Sequence, residues 1–120
     1  MSALSAPFFE GLEHGELRYQ VCGGCHAVQS MPRRTCRRCR CTRLEWRRSA
    51  GHGVVYAANV VEDPPTEELR PLAPYTLVVV DLDEGARLVG HAPAGVAIGA
   101  RVTAEYFAFA GRTLVRFKPQ

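Results

Sequence analysis

The chain has 120 residues, 47% of them hydrophobic and 22% charged, with a formal net charge of +3. That size suits one domain or two very small ones, and the apolar fraction can bury a core, which excludes an intrinsically disordered chain. No apolar stretch approaches the roughly 18 residues that a membrane-spanning helix needs, so that class is excluded as well.

From residue 6 to 15 the pattern predicts a short helix with Phe8, Phe9 and Leu12 on one face and Gly15 at its end. The first 15 residues contain Glu10 and Glu13 in place of a basic start followed by an apolar run, so the expected location is the cytoplasm, where thiols stay reduced. Residues 17–21 alternate as a half-buried strand does and run directly into Cys22.

The strongest chemical signal follows. Cys22-Gly23-Gly24-Cys25 and, ten residues later, Cys36-Arg37-Arg38-Cys39 form two Cys-x-x-Cys pairs. Each pair turns both of its sulfurs toward one point, and four thiolates at about 2.3 Å from a single Zn²⁺ make a closed tetrahedral site. Two disulfides are disfavoured by compartment, and a redox pair by the doubling of the motif. Iron remains the competing metal, since four sulfurs do not choose the ion by themselves. Cys41 reads as a spare thiol and His26 as a surface residue rather than a ligand. A four-cysteine site has no open coordination position, so the metal's expected work is folding a module too small to hold itself together.

Charge divides the chain in two. Of the 14 arginines, eight lie between positions 33 and 48; residues 1–50 carry nine basic against four acidic side chains, and residues 51–120 carry six against eight. An arginine cluster on so small a module fits nucleic acid, a phosphorylated cofactor, an acidic protein face, or simply a solvated surface.

Beyond a strand at 44–48, the second half alternates with period two. Strands are expected at 51–62, 75–83, 86–91, 101–109 and 113–117, with a proline-rich loop at 63–74 and a tight turn at Asp83-Glu84-Gly85. Five short strands in this length predict a closed barrel of the OB type, because closure removes edges that so small a sheet cannot protect; an open sandwich is the alternative. No nucleophile elbow, phosphate loop or His-Glu-x-x-His occurs. Asp81, Asp83 and Glu84 read as solvated acids at a hairpin, and His52 and His91 as imidazoles without a partner visible in the sequence.

Several anchors together resemble a known family. They are Pro7-Phe8-Phe9-Glu10-Gly11-Leu12, the two cysteine pairs, Pro32-Arg33, Leu44-Glu45-Trp46, Gly51-x-Gly53-x-Val55-Tyr56, Pro74-Tyr75, Asp81 to Gly85, Ile98-Gly99 and Val115-Arg116-Phe117. In order and spacing the chain resembles, from end to end, the zinc-ribbon/OB-fold proteins of acyl-CoA metabolism, long counted as a domain of unknown function. The resemblance implies a mainly β chain with an N-terminal helical segment (1–16), a rubredoxin-like zinc ribbon (17–50) and an OB-fold barrel (51–120). It implies one structural Zn²⁺ on Cys22, Cys25, Cys36 and Cys39, and a non-catalytic accessory subunit of a thiolase-fold enzyme: a thiolase, a thiolase-like aldolase or an acyltransferase. Such a subunit stabilises its partner in a hetero-oligomer, in some cases with a hydratase, and helps shape an acyl-CoA site, so a CoA ester shared with the partner is the expected ligand. Arg33, Arg34, Arg37 and Arg38, with Phe8 and Phe9, are the candidates for contacting CoA phosphates or the partner. A single-stranded nucleic-acid-binding module and a stand-alone acyl-CoA binder are the alternatives; the positive charge lies on the wrong half for the former. The chain departs from the family's pattern where Arg37 replaces Pro after the third cysteine, and where His26 and Arg40 replace Gly after the second and fourth.

Overall fold

In the computed structural model, residues 3–120 are described. Residues 1 and 2 of the expected N-terminal segment lie outside them. Helix α1 spans Ala6–Glu13, with proline in its first turn, where a missing N–H costs nothing. His14 and Gly15 close it by donating their backbone N–H groups to Gly11 and Leu12 carbonyls at 3.0 and 3.1 Å. Gly15 sits at φ +72°, the left-handed geometry that ends helices. The three apolar residues expected on its face divide: Leu12 is buried, Phe8 packs on the core, and Phe9 is left exposed.

Strands β1 (Leu17–Cys22), β2 (Val28–Gln29) and β3 (Leu44–Ser49) form a three-stranded antiparallel sheet in the order β2-β1-β3. This sheet and the loops it carries are the ribbon. Between β2 and β3 the chain is irregular, because the second cysteine pair and the arginines occupy residues that would otherwise extend a hairpin.

Five strands follow: β4 (His52–Val61), β5 (Tyr75–Leu82), β6 (Arg87–Ala92), β7 (Arg101–Phe109) and β8 (Arg112–Pro119). They close a barrel in the order β4-β5-β6-β8-β7, with β7 returning to β4. This is the OB-like barrel expected, and the open sandwich is set aside. Closure rests on one parallel pairing, His91 opposite Arg116, whereas the other seams are antiparallel. The loop expected at 63–74 contains a short 3₁₀ helix, Glu67–Leu72. An Arg112–Glu68 ion pair of 2.9 Å holds it against the start of β8.

Strand β5 shows why the barrel forms. Its buried residues are Thr76, Val78, Val80 and Leu82, every second position, as a pleated strand with one face inward requires. Val78, Val80 and Leu82 share one core with Val55, Val102, Val115 and Phe117, which Leu12 and Leu17 join from outside the barrel. Phe117 is the largest fully buried side chain. A Cβ at Gly90 would lie 2.7 Å from its ring, so β6 can cross that ring only with glycine.

The ribbon is fastened to the barrel at the β5–β6 turn. Glu84 accepts hydrogen bonds from Ser49 Oγ (2.7 Å) and from the Ala50 backbone N–H (2.8 Å), and Ser30 Oγ accepts one from the Arg87 N–H (3.1 Å). Glu84, expected as a solvated acid, is thus the strut between the two halves.

Replacing Phe117 with Ala is expected to destabilise the barrel by about 3–5 kcal/mol, the range for deleting a buried aromatic. Gly90→Ala is expected to cost about 1–3 kcal/mol through overpacking against the same ring. Urea denaturation of both variants measures these differences.

Candidate metal centre and adjoining clefts

Cys22, Cys25, Cys36 and Cys39 bring their sulfurs within 4.8 Å of one another. Cys22 and Cys39 stand 3.4 Å apart, and Cys25 and Cys36 3.6 Å apart. A tetrahedral Zn²⁺ with bonds of about 2.3 Å needs sulfur separations of about 3.8 Å, so the donor set and its spacing fit such an ion.

The two turns are copies of one geometry. In the first, Cys22 Sγ accepts backbone N–H groups from Gly24 (3.3 Å) and Cys25 (3.4 Å); in the second, Cys36 Sγ accepts those of Arg38 (3.3 Å) and Cys39 (3.4 Å). N–H donors favour the charged sulfur. The Cys25 N–H therefore leads in lowering Cys22 against the opposing effect of burial, and the Cys39 N–H leads in lowering Cys36 to about 6. At Cys39 the Cys41 N–H acts in the same sense, but the neighbouring thiols and burial outweigh it and raise Cys39 to about 12. Four sulfurs this close cannot all ionise without a cation among them.

Each turn closes with a 2.9 Å backbone bond, from His26 N–H to the Cys22 carbonyl and from Arg40 N–H to the Cys36 carbonyl. Both closing residues lie in the left-handed region, His26 at φ +64° and Arg40 at φ +65°. That is the physical meaning of the departures from the family's glycines: the turn demands a conformation that glycine adopts freely and that His and Arg adopt at a cost. Cys41 stays apart, its sulfur accepting the Arg43 N–H at 3.4 Å.

Two buried glutamines, which periodicity did not single out, organise the segment between the turns. Gln20 Oε1 accepts the Arg33 N–H at 2.7 Å and its Nε2 donates to the Arg33 carbonyl at 3.1 Å. Gln29 Oε1 accepts the Arg37 N–H at 3.1 Å, while its Nε2 donates to Cys36 Sγ at 3.4 Å. A buried amide is tolerated only when so engaged, and these two convert a loop of irregular backbone into a fixed platform.

Two clefts adjoin this platform. The first, about 440 Å³, lies between α1, the ribbon and β6, and is lined by Phe8, Phe9, Tyr19, Met31, Trp46 and Val89 among others. The second, about 950 Å³, runs between the ribbon and the β5–β6 face, with Arg33, Arg37, Arg38 and Arg87 around Val79 and Val89. Gln29, Ser30, Met31, Arg87 and Val89 line both, so the two are neighbours. Of the expected contact residues, Phe8 and Phe9 reach the first cleft and Arg33, Arg37 and Arg38 the second, while Arg34 reaches neither. Met31, Val89 and Arg87 were not singled out; they come together only when the ribbon folds onto the barrel.

Charge pairing divides as sharply as charge itself. In the barrel Arg70, Arg87, Arg101, Arg112, Arg116 and Lys118 all have a carboxylate within 4.0 Å. Among the described residues, Arg33, Arg34, Arg37, Arg38, Arg40 and Arg43 have none, and in the ribbon only Arg18, Arg47 and Arg48 do. The acids and imidazoles weighed as catalytic candidates have structural employment. Asp81 pairs with Arg87 and Asp83 with Arg101, whose guanidinium hydrogen bonds hold the Asp83 carboxyl below its ordinary value. His52 Nδ1 meets Thr103 Oγ1 at 3.2 Å. His91 lies between Tyr75 and Phe107, and burial, with Arg116 nearby, pushes its imidazole toward the neutral form.

The left-handed residues make a direct prediction. His26→Gly and Arg40→Gly are each expected to raise the ribbon's resistance to unfolding, by up to about 1 kcal/mol once the extra freedom of glycine in the unfolded chain is deducted. Chemical denaturation in the presence of Zn²⁺ measures the change, and a loss of stability in both variants would contradict the account of these turns.

Known proteins share this architecture. A family described as the C-terminal OB-fold domain of ChsH2 matches residues 46–107. A DUF35 domain-containing scaffold protein of Methanocaldococcus jannaschii is 34% identical over 90 residues, covering 71% of this chain and 63% of its own length. A probable enoyl-CoA hydratase alpha subunit of Thermomonospora curvata is 32% identical over 120 residues, which are 96% of this chain and 37% of that protein. The chain thus spans less than two thirds of the length of these relatives. Among solved structures, an Ltp2-ChsH2(DUF35) aldolase matches with a TM-score of 0.86 and 28% identity, over 99% of this chain and 96% of that one. A DUF35 protein of Sulfolobus solfataricus shares the fold at a TM-score of 0.68 and 19% identity, over 100% and 87%. With its cysteine-clustered ribbon set on a closed OB barrel, the chain belongs to the DUF35 family, of the ChsH2 OB-fold type.

Proposed function

We propose that this chain is a zinc-stabilised, non-catalytic accessory subunit of a thiolase-fold enzyme acting on acyl-CoA in the cytoplasm. The observation that carries the reading is its whole-length likeness to the DUF35 part of an aldolase assembly. Likeness to a scaffold protein and to a hydratase subunit supports the same role in a hetero-oligomer, with a hydratase as a further partner in some assemblies. The reaction then belongs to the partner, which is a thiolase, a thiolase-like aldolase or an acyltransferase.

In this reading the parts are an N-terminal segment (1–16), a zinc ribbon (17–50) and a barrel (51–120). Cys22, Cys25, Cys36 and Cys39 hold one Zn²⁺, which supplies a folding constraint rather than a Lewis acid, because four sulfurs fill its coordination. Arg33, Arg37 and Arg38 then stand where CoA phosphates or partner carboxylates would meet them, as guanidinium forks suit both. Phe8 and Phe9 line the cleft that would take the apolar part of the contact. Arg34, outside both clefts, is the weakest of the six contact candidates.

A single-strand-binding barrel offers bare aromatics and free cations along its face. Here the Tyr56 ring, though 54% exposed, carries Arg87 over one face, with the guanidinium carbon 3.9 Å from the ring centre and its charge paired with Asp81. That observation weighs against the nucleic-acid alternative. A stand-alone acyl-CoA binder is separated by calorimetry of the isolated chain with an acyl-CoA: heat of binding without any partner would favour it.

Tagged chain isolated from its native cells is expected to bring down a thiolase-fold subunit identifiable by mass spectrometry; recovery of the chain alone would sink the proposal. Native mass spectrometry is expected to find one Zn²⁺ per chain. Cys36→Ser is expected to lose the ion and the ribbon's amide-exchange protection together, since apparent metal binding in small zinc modules contributes on the order of 10 kcal/mol.

A further inference from the structure

An accessory subunit needs a face for its partner. Among the described residues six large hydrophobic side chains are exposed, and three of them, Met31 (74%), Val89 (59%) and Phe9 (39%), line the same cleft. Scattered exposed apolar side chains are ordinary, but a contiguous group with a charged rim has the anatomy of an interface. The three come from α1, from the segment after β2 and from β6, so no local requirement of a single element gathers them.

The rim adds the sign. The larger neighbouring cleft, which shares Gln29, Ser30, Met31, Arg87 and Val89 with the first, is lined by Arg33, Arg37 and Arg38. Every cation of the barrel is neutralised by a carboxylate, whereas these three are not. Their backbone, moreover, is pinned: Gln20 holds Arg33 and Gln29 holds Arg37. Uncompensated guanidiniums on a pinned backbone, beside an apolar floor, are complementary to a surface with the opposite charge and the same apolar centre.

We propose that the neighbouring clefts between α1, the ribbon and β6 are the docking surface for a segment of the partner enzyme. That segment inserts an apolar side chain against Phe9, Met31 and Val89 and sets carboxylates against Arg33, Arg37 and Arg38. The floor governs how long the complex lasts, and the rim governs how fast it forms and how strongly salt weakens it. This rests on the accessory-subunit reading and adds to it the face used and the chemistry of the occupant.

The test uses the full, zinc-loaded chain, with zinc content and circular dichroism confirming that each variant folds. The variants are Val89→Asp, the triple Arg33→Glu/Arg37→Glu/Arg38→Glu, and, as a control, Ile98→Asp. Ile98 is 68% exposed and lines neither cleft. Against the co-purified thiolase-fold subunit, Val89→Asp and the triple variant are each expected to weaken binding at least tenfold, and Ile98→Asp to leave it unchanged. Undiminished binding by the first two would overturn the docking surface while leaving the accessory reading intact; absence of any such subunit would remove the accessory reading instead. The chemistry of the surface is then measured by fluorescence anisotropy with a labelled peptide of alternating leucine and glutamate and a counterpart of leucine and lysine. The acidic peptide is expected to bind at least tenfold more tightly, and to lose that advantage in both cleft variants. Equal binding of the two peptides, displacement of the acidic one by free CoA, or occupation of the clefts by a second copy of the chain in sedimentation would each overturn the proposal.

Discussion

Four cysteine sulfurs gathered within 4.8 Å are the constraint on which the rest of the ribbon depends. To meet there, two turns separated by ten residues adopt one backbone geometry, with paired N–H donors on the leading sulfur and a left-handed residue at the exit. The exits then fix direction. One turn releases the chain into β2, and the other returns it through Arg43, whose carbonyl accepts the Gly23 N–H at 2.7 Å, into β3. The arginine-bearing segment is thereby suspended from sulfur and from two glutamines, with little apolar core of its own.

Position follows from the junction. Glu84 at the β5–β6 turn grips Ser49 and Ala50, and Ser30 grips the first residue of β6, so the ribbon lies along one face of the barrel. The clefts are the space left between two bodies whose separate geometries are set by sulfur and by strand closure. Neither body contains such a surface alone. This is why a constraint at the cysteines reaches Val89, which belongs to the barrel and touches no ligand.

What could be read from the residues follows range. The period of two in β5 and the doubled Cys-x-x-Cys are local patterns tied to geometry, so the barrel strands and the sulfur cluster were legible. Phe8 and Phe9 are adjacent and equally apolar, and only the packing of α1 on the core decides that Phe8 turns in while Phe9 turns out. Glu84 looked like an ordinary turn acid because its partners stand 34 and 35 positions earlier. Met31, Arg87 and Val89 were invisible for the same reason: their meaning comes from the ribbon's placement. The left-handed turns fall between, since His26 and Arg40 were marked only as departures from a family habit and acquire their reason from φ.

The arginines themselves need two explanations rather than one. Four thiolates around a divalent ion leave two net negative charges, and cations close to such a centre are stabilised by it. Arg43 answers to that account only through its lesser attraction to Cys22, since the Cys41 sulfur, outside the cluster, leads in raising its already high pKa. Arg33, Arg37 and Arg38 do not, for their side chains border the groove toward the barrel and have no carboxylate near them. Gln20 and Gln29 hold this backbone, and Gln29 also serves the sulfur site through Cys36 Sγ, but neither gives the arginines a counter-charge. Fixing that backbone costs entropy in a module with little core to offset it. That expense makes sense where the fixed positions match something that binds, and the opposite sign of charge is the one property such a counterpart must have.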